Sequence, residues 1–110
     1  MTLDEYQAKA AATSLMETGD ERMIIYTALG LNGEAGEVAD KVKKILRDQD
    51  GDFNKLDKTE ITKELGDVLW YVAMFAKSIG ISLDDVGGAN IEKLTSRKQR
   101  GVLGGSGDNR

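Results

Sequence analysis

The 110-residue sequence contains no cysteine, no histidine and no proline. Without cysteine the chain has no disulfide, no thiol nucleophile and no zinc–thiolate site. Without histidine it has no Ser-His-Asp triad, no imidazole base and no Glu-x-x-His pair for a ferritin-like di-iron centre. Any metal ion must therefore be held by oxygen ligands, which favours Mg²⁺, Mn²⁺ or Ca²⁺.

Long apolar runs and an excess of basic residues are also missing. No stretch of about 18 apolar residues occurs, so we expect no membrane partner. Nineteen acidic against fifteen basic residues give a net charge of −4, which argues against a nucleic acid polymer as a partner. The first five residues, MTLDE, lack the basic region that opens a signal peptide, and we expect a cytoplasmic protein.

Apolar residues recur with a period near 3.6, which together with the absence of proline predicts an all-α fold in a single domain, residues 1–110. The predicted helices run from Leu3 to Glu17, from after Asp20 to about Arg47, from Lys58 to Ser78, and from about Leu83 to Lys98. A glycine-rich tail, about 101–110, follows. The expected buried stripes comprise Ile25, Ala28, Leu29, Ala35, Val38, Val42, Ile45 and Leu46 on the second helix, and Ile61, Leu65, Val68, Leu69, Val72, Phe75 and Ile79 on the third. Four helices from so short a chain leave an apolar face open, so we expect a four-helix bundle completed by a homodimer or a dimer of dimers.

Two pairs of acidic residues, Glu34 with Glu37 and Glu64 with Asp67, lie inside apolar helical segments. Residues three apart are about 60° apart around a helix, so each pair forms one ridge. If the two helices pack antiparallel, four carboxylates converge, and a divalent cation would relieve their mutual repulsion. From the spacing alone, two solvated helix faces are an equally good interpretation.

A polar and cationic stripe is predicted on the fourth helix, where Asn90, Lys93 and Arg97 are spaced i, i+3 and i+7. These side chains could hold phosphates, or they could form an exposed basic helix end favoured by the helix dipole. Tyr71 follows Asp67 by four residues, so it flanks the acidic ridge and could stack on a base or pack in the core.

Glycines recur every third residue beside the first acidic pair, at Gly30, Gly33 and Gly36. Each costs ~1 kcal/mol relative to alanine inside a helix. Close helix packing, room for a ligand, or a helix break between Gly30 and Gly33 would explain them. The glycine-rich tail could wrap anionic oxygens with its backbone amides or be disordered.

The segments 30–40, GLNGEAGEVAD, and 63–71, KELGDVLWY, resemble the MazG-like nucleotide pyrophosphohydrolases. These proteins belong to the all-α NTP pyrophosphatase superfamily, together with the dimeric dUTPases and phosphoribosyl-ATP pyrophosphohydrolase. The family signature is Glu-x-x-Glu, a variable spacer and Glu-x-x-Asp. The 26 residues between Glu37 and Glu64 fit that spacer.

The resemblance implies Mg²⁺-dependent hydrolysis of a ribo- or deoxyribonucleoside triphosphate to a monophosphate and pyrophosphate, with Mn²⁺ as a possible substitute. The residues that match the catalytic and metal-binding acids are Glu34, Glu37, Glu64 and Asp67. Those that match substrate-binding positions are Tyr71, Asn90, Lys93 and Arg97. The tail departs from relatives that carry a proline-containing stretch after the arginine. Two alternatives are a non-catalytic helical dimeric interaction module with an acidic groove, and a metal-binding protein without turnover.

Overall fold

The computed structural model describes residues 1–17 and 19–110, and within these ranges it contains helices and no strand, which confirms the all-α prediction. The four α-helices are α1 (Leu3–Ala11), α2 (Glu21–Asp48), α3 (Lys58–Ser78) and α4 (Leu83–Gln99). A short 3₁₀ turn, Phe53–Lys55, lies between α2 and α3. None of the described helices combines the length and apolar character needed to cross a bilayer.

Each α-helix begins at a side chain that accepts a hydrogen bond from a backbone amide of the first turn. Thr2 forms a complete capping box with Glu5, while Asp20, Asp57 and Ser82 cap the three later helices. Such caps satisfy amides that have no partner within the helix. The predicted starts are therefore confirmed by local chemistry that is readable in the sequence.

The predicted end of the first helix, Glu17, is wrong, because α1 ends at Ala11. The Thr13 hydroxyl donates to the Ala10 carbonyl, and the Ser14 hydroxyl bonds the backbone of Met16. These local side-chain bonds compete with the helical hydrogen bonds and turn the chain away. The segment 12–17 thereby becomes a loop that reaches α3, where Thr13 accepts a hydrogen bond from the Trp70 indole.

α2 and α3 form the longest helix pair and run antiparallel. Residue numbers fall along α2 as they rise along α3, from the Lys41–Glu64 ion pair to the Tyr26–Tyr71 hydrogen bond. α2 is continuous through its three glycines, so no break separates Gly30 from Gly33. This register is what brings the two acidic ridges to the same level.

The buried core is small and consists mainly of alanine and methionine: Ala10, Met23, Ala73, Met74 and Leu83. The side chain of Gln7 ties three helices together at its edge. Its amide group donates to the carbonyls of Ala73 and Ile81, and its oxygen accepts from the Leu83 amide. A buried amide that bonds three separate backbone groups fixes how α1 sits against α3 and α4.

Within one copy of the chain none of the fifteen predicted stripe residues is fully buried, and six of them are half-buried. Leu29 on α2 is 69% exposed and Leu65 on α3 is 53% exposed. Other predicted core residues are also exposed: Ile25, Ala28, Ala35, Val42, Leu46, Leu69 and Ile79. The radius of gyration is 16.8 Å, against about 13 Å for a compact chain of about this length. The helices thus form an extended unit whose apolar stripes are wider than the surface that one chain covers.

Candidate functional site

Three of the four predicted acidic residues lie together where α2 faces α3. One carboxylate oxygen each from Glu34, Glu64 and Asp67 lies within 4.8 Å of the others. Glu34 and Glu64 are partly buried, whereas Asp67 is exposed. We refer to these three residues as the carboxylate trio. Its spacing and all-oxygen composition fit the hard divalent cations that prefer carboxylate ligands.

The trio is electrostatically unfavourable as it stands. Burial raises the pKa of Glu34 above its ordinary value, and the charges of Asp67, Glu64 and Glu37 raise it further, in that order. The two neighbouring carboxylates of the trio thus oppose the ionisation of Glu34. A bound cation would reverse the sign of the local potential and favour the ionised forms.

Glu37 lies outside the trio, and its side chain is exposed. Of the three neighbouring carboxylates, Glu37 has the smallest charge effect on the pKa of Glu34. The three-residue step from Glu34 rotates Glu37 by about 60° around α2. The structure therefore brings three of the four acids together.

Lys41 is a charged neighbour of the trio that the sequence pattern did not single out. Its Nζ lies 3.3 Å from Glu64 Oε1, and both side chains are partly buried. Lys41 follows Glu34 by seven residues, which places the two on the same side of α2. The i+7 spacing from Glu34 to Lys41 was therefore a sequence signal that could have placed Lys41 at this site.

Tyr71 extends from α3 across to α2, where its ring lies against Gly30. A Cβ atom at Gly30 would overlap that ring, whereas a Cβ atom at Gly33 or Gly36 would meet nothing within 4 Å. Of the three glycines, Gly30 is thus the one that a close approach requires. The Trp70 ring packs edge-on against Tyr71, with ring centroids 5.0 Å apart.

Tyr26 is a third aromatic residue at this site and was also missed by the sequence analysis. The Tyr71 hydroxyl donates to the Tyr26 hydroxyl at 3.3 Å. This hydrogen bond, followed by burial and nearby negative charge, raises the pKa of Tyr71 to about 12. Tyr26, Gly30 and Glu34 are spaced i, i+4 and i+8, so they form one stripe that could have been read from the sequence.

A cavity of about 490 Å³ opens beside the trio. Glu34 and Asp67 form its acidic side, and the rings of Tyr26, Trp70 and Tyr71 form its aromatic side. The loop after α1 also lines it, through Thr13, Ser14, Leu15 and Met16. A volume of this order suits a small molecule, and aromatic walls with a few polar groups are typical of such sites.

The predicted cationic stripe lies on α4, which packs against α1 and α3 but not against α2 within the described residues. Asn90 and Lys93 are exposed, whereas Arg97 is buried. The interpretation of this stripe as an exposed basic helix end is therefore wrong for Arg97. Its guanidinium donates to the carbonyls of Gly107 and Asp108, so the glycine-rich tail folds back onto α4.

Comparisons with known proteins show what the chain is similar to. The chain is 48% identical over its whole length to the complete Gene 37 protein of Mycobacterium phage L5. It is 41% identical to the uncharacterized protein YvdC of Bacillus subtilis (strain 168), in an alignment that covers 58% of this chain and 65% of that protein. No solved structure gives a significant match. The profile of the MazG nucleotide pyrophosphohydrolase domain matches residues 24–102, a range that includes the whole trio. The chain belongs to the MazG nucleotide pyrophosphohydrolase family.

Proposed function

We propose that this protein hydrolyses a ribo- or deoxyribonucleoside triphosphate between its α- and β-phosphates, releasing a monophosphate and pyrophosphate in a Mg²⁺-dependent reaction. The observation that carries the proposal is the carboxylate trio of Glu34, Glu64 and Asp67, of which Glu34 and Asp67 line a cavity with aromatic walls. Membership of the family supports the same chemistry. A chain without histidine or cysteine favours attack by water over a covalent intermediate.

In this proposal the trio holds the Mg²⁺, for which Mn²⁺ can substitute. When bound, such an ion polarises phosphate oxygens and lowers the pKa of water. Glu37 lies one turn along α2 and outside the trio, and we assign it either to the metal or to orienting the attacking water. Lys41 pairs with the Glu64 carboxylate and competes with the ion for it.

The nucleoside portion of the substrate is assigned to the cavity of about 490 Å³. The Tyr71 ring would pack against the base or the sugar, because aromatic faces stack on any base. Asn90, Lys93 and Arg97 are assigned to the phosphates, where Arg offers paired donors and Lys a compact charge. These cations would offset the charge that develops on the departing pyrophosphate.

We further propose that a second copy of the chain covers the exposed apolar stripes. The candidates for this interface are the most exposed of the large apolar side chains on α2 and α3, namely Ile25, Leu29, Leu46 and Leu65. The extended shape of one copy supports this, because a chain of this size buries more apolar surface by pairing. A homodimer or a dimer of dimers satisfies the same requirement.

The proposed activity is tested with a panel of canonical and damaged ribo- and deoxyribonucleoside triphosphates, with Mg²⁺ or with excess EDTA. Monophosphate, pyrophosphate and orthophosphate are scored separately. We expect equal amounts of monophosphate and pyrophosphate, with Mg²⁺ only. Binding of Mn²⁺ without turnover of any nucleotide would instead indicate a metal-binding protein. If the protein neither binds metal nor hydrolyses any nucleotide, the result would favour the alternative of a non-catalytic helical interaction module.

A further inference from the structure

The glycine-rich tail, residues 101–110, forms a closed loop on the end of α4. The Val102 amide donates to the Arg97 carbonyl at 2.9 Å. The Arg110 guanidinium then closes the loop through hydrogen bonds to four tail carbonyls, those of Val102, Leu103, Gly104 and Gly107. Gly105 and Gly107 have φ angles of +92° and +88°, a conformation that glycine adopts without strain. The tail therefore has a defined structure that depends on the Arg110 side chain.

Arg97 lies beneath this loop and is only 5% exposed. Its Nη2 donates to the carbonyls of Asp108 at 2.7 Å and Gly107 at 3.4 Å. Its Nε is buried and has no hydrogen-bond partner among the described residues. The carboxylate of Asp108 lies 3.5 Å from Arg97 Nη2 and 3.9 Å from Lys93 Nζ. A single exposed carboxylate thus faces both cations of the stripe.

A buried guanidinium with an unpartnered Nε is incompletely satisfied, and such a group is costly. Two neutral carbonyls and one carboxylate supply some of the hydrogen-bond acceptors and some of the negative charge that would satisfy it. A phosphate supplies more, because it presents several charged oxygens that Arg binds in pairs. The tail therefore offers Arg97 and Lys93 oxygen acceptors of the kind that a phosphate offers, but with less negative charge.

We propose that the tail occupies the phosphate-binding position of this protein when no substrate is bound. The Asp108 carboxylate faces Lys93 and Arg97 at the place where a substrate phosphate binds, and the nucleotide must displace it. This inference rests on the proposed function in assigning these cations to phosphate. The open and closed tail then form a two-state equilibrium, and the closed state reduces the apparent affinity for phosphate compounds.

The test uses the full-length protein and inorganic pyrophosphate with Mg²⁺ as the probe, so that it does not depend on turnover. Calorimetry gives the pyrophosphate affinity of the wild type, of Asp108→Asn, and of the matched control Asn109→Ala, which alters the exposed neighbouring side chain. Heteronuclear NOE values of the Gly105 and Gly107 amides report tail mobility on the picosecond to nanosecond timescale.

We expect Asp108→Asn to bind pyrophosphate about five- to tenfold more tightly than the wild type, because the competing closed state is weakened. Asn109→Ala should match the wild type. In the wild type, the NOE values of both glycines should fall as pyrophosphate binds. With an active substrate, Asp108→Asn should lower KM and leave kcat unchanged.

Two results would overturn the proposal: pyrophosphate that binds while the tail keeps its NOE values, or pyrophosphate that does not bind at all. Failure of the proposed function looks different. In that case pyrophosphate displaces the tail, but no nucleotide is hydrolysed. Conversely, active hydrolysis with a tail that stays closed would retain the function and reject the tail as an occupant.

Discussion

The contact between Gly30 and Tyr71 gives a quantitative prediction about the wall of the cavity. Alanine gains about 0.5–1 kcal/mol over glycine inside a helix. At Gly33 nothing lies within 4 Å of the added Cβ, so Gly33→Ala should raise the free energy of unfolding by that amount. At Gly30 the added Cβ overlaps the Tyr71 ring, and overpacking of this kind costs about 1–3 kcal/mol.

The stability gained by replacing glycine with alanine inside a helix is the same in both variants, so it cancels when they are compared. Gly30→Ala should therefore be about 1–3 kcal/mol less stable than Gly33→Ala in urea unfolding followed by circular dichroism. Gly36→Ala serves as a second control, because its Cβ also enters open space.

A double-mutant cycle identifies the tyrosine as the cause. In a Tyr71→Ala background the obstacle is gone, so Gly30→Ala should stabilise the protein as Gly33→Ala does. The coupling energy should be about 1–3 kcal/mol. Equal stabilities for the Gly30 and Gly33 variants, or a coupling energy near zero, would refute the reasoning.

Three further predictions concern the charges at the site. Asp67→Asn should lower turnover at least about 100-fold. In calorimetry it should also weaken Mn²⁺ binding more than Glu37→Gln does, since Glu37 lies outside the trio. Equal effects of the two substitutions on metal binding would contradict this arrangement. Because the pKa of Glu34 is raised, its protonation favours the folded state without metal. That contribution to the free energy of unfolding is present at pH values below the ordinary pKa of glutamate and is lost as the pH rises through the raised pKa of Glu34. Urea unfolding in EDTA should therefore show that the wild type loses this stability with rising pH and that Glu34→Gln does not. Lys41→Met should tighten Mn²⁺ binding severalfold in the same calorimetric assay, because the lysine competes with the cation for Glu64; weaker binding would indicate that the lysine mainly positions that carboxylate.

The features that the sequence predicted well are those set by local chemistry. Both ends of α3 were predicted correctly, since Asp57 caps its start and the helix ends before Gly80, whose φ is +76°. The i, i+3 spacing of acids placed Glu64 and Asp67 on one ridge. The antiparallel register of α2 then brings Glu34 to them.

The features that the sequence did not predict depend on contacts between distant residues. α1 ends early because the Thr13–Ser14 segment bonds its own backbone and receives the Trp70 indole from α3. Arg97 is buried because Arg110 folds the tail over α4. Helical periodicity carries no information about either contact.

The proposed chemistry is tested most directly by hydrolysis of the best substrate in ¹⁸O-labelled water with Mg²⁺, followed by mass spectrometry of the products. Attack of water on the α-phosphorus puts the label in the monophosphate and leaves the pyrophosphate unlabelled. We predict this pattern, together with its loss in Asp67→Asn. Label in the pyrophosphate, release of orthophosphate as the first product, or full activity in excess EDTA would contradict the proposed reaction at the carboxylate trio.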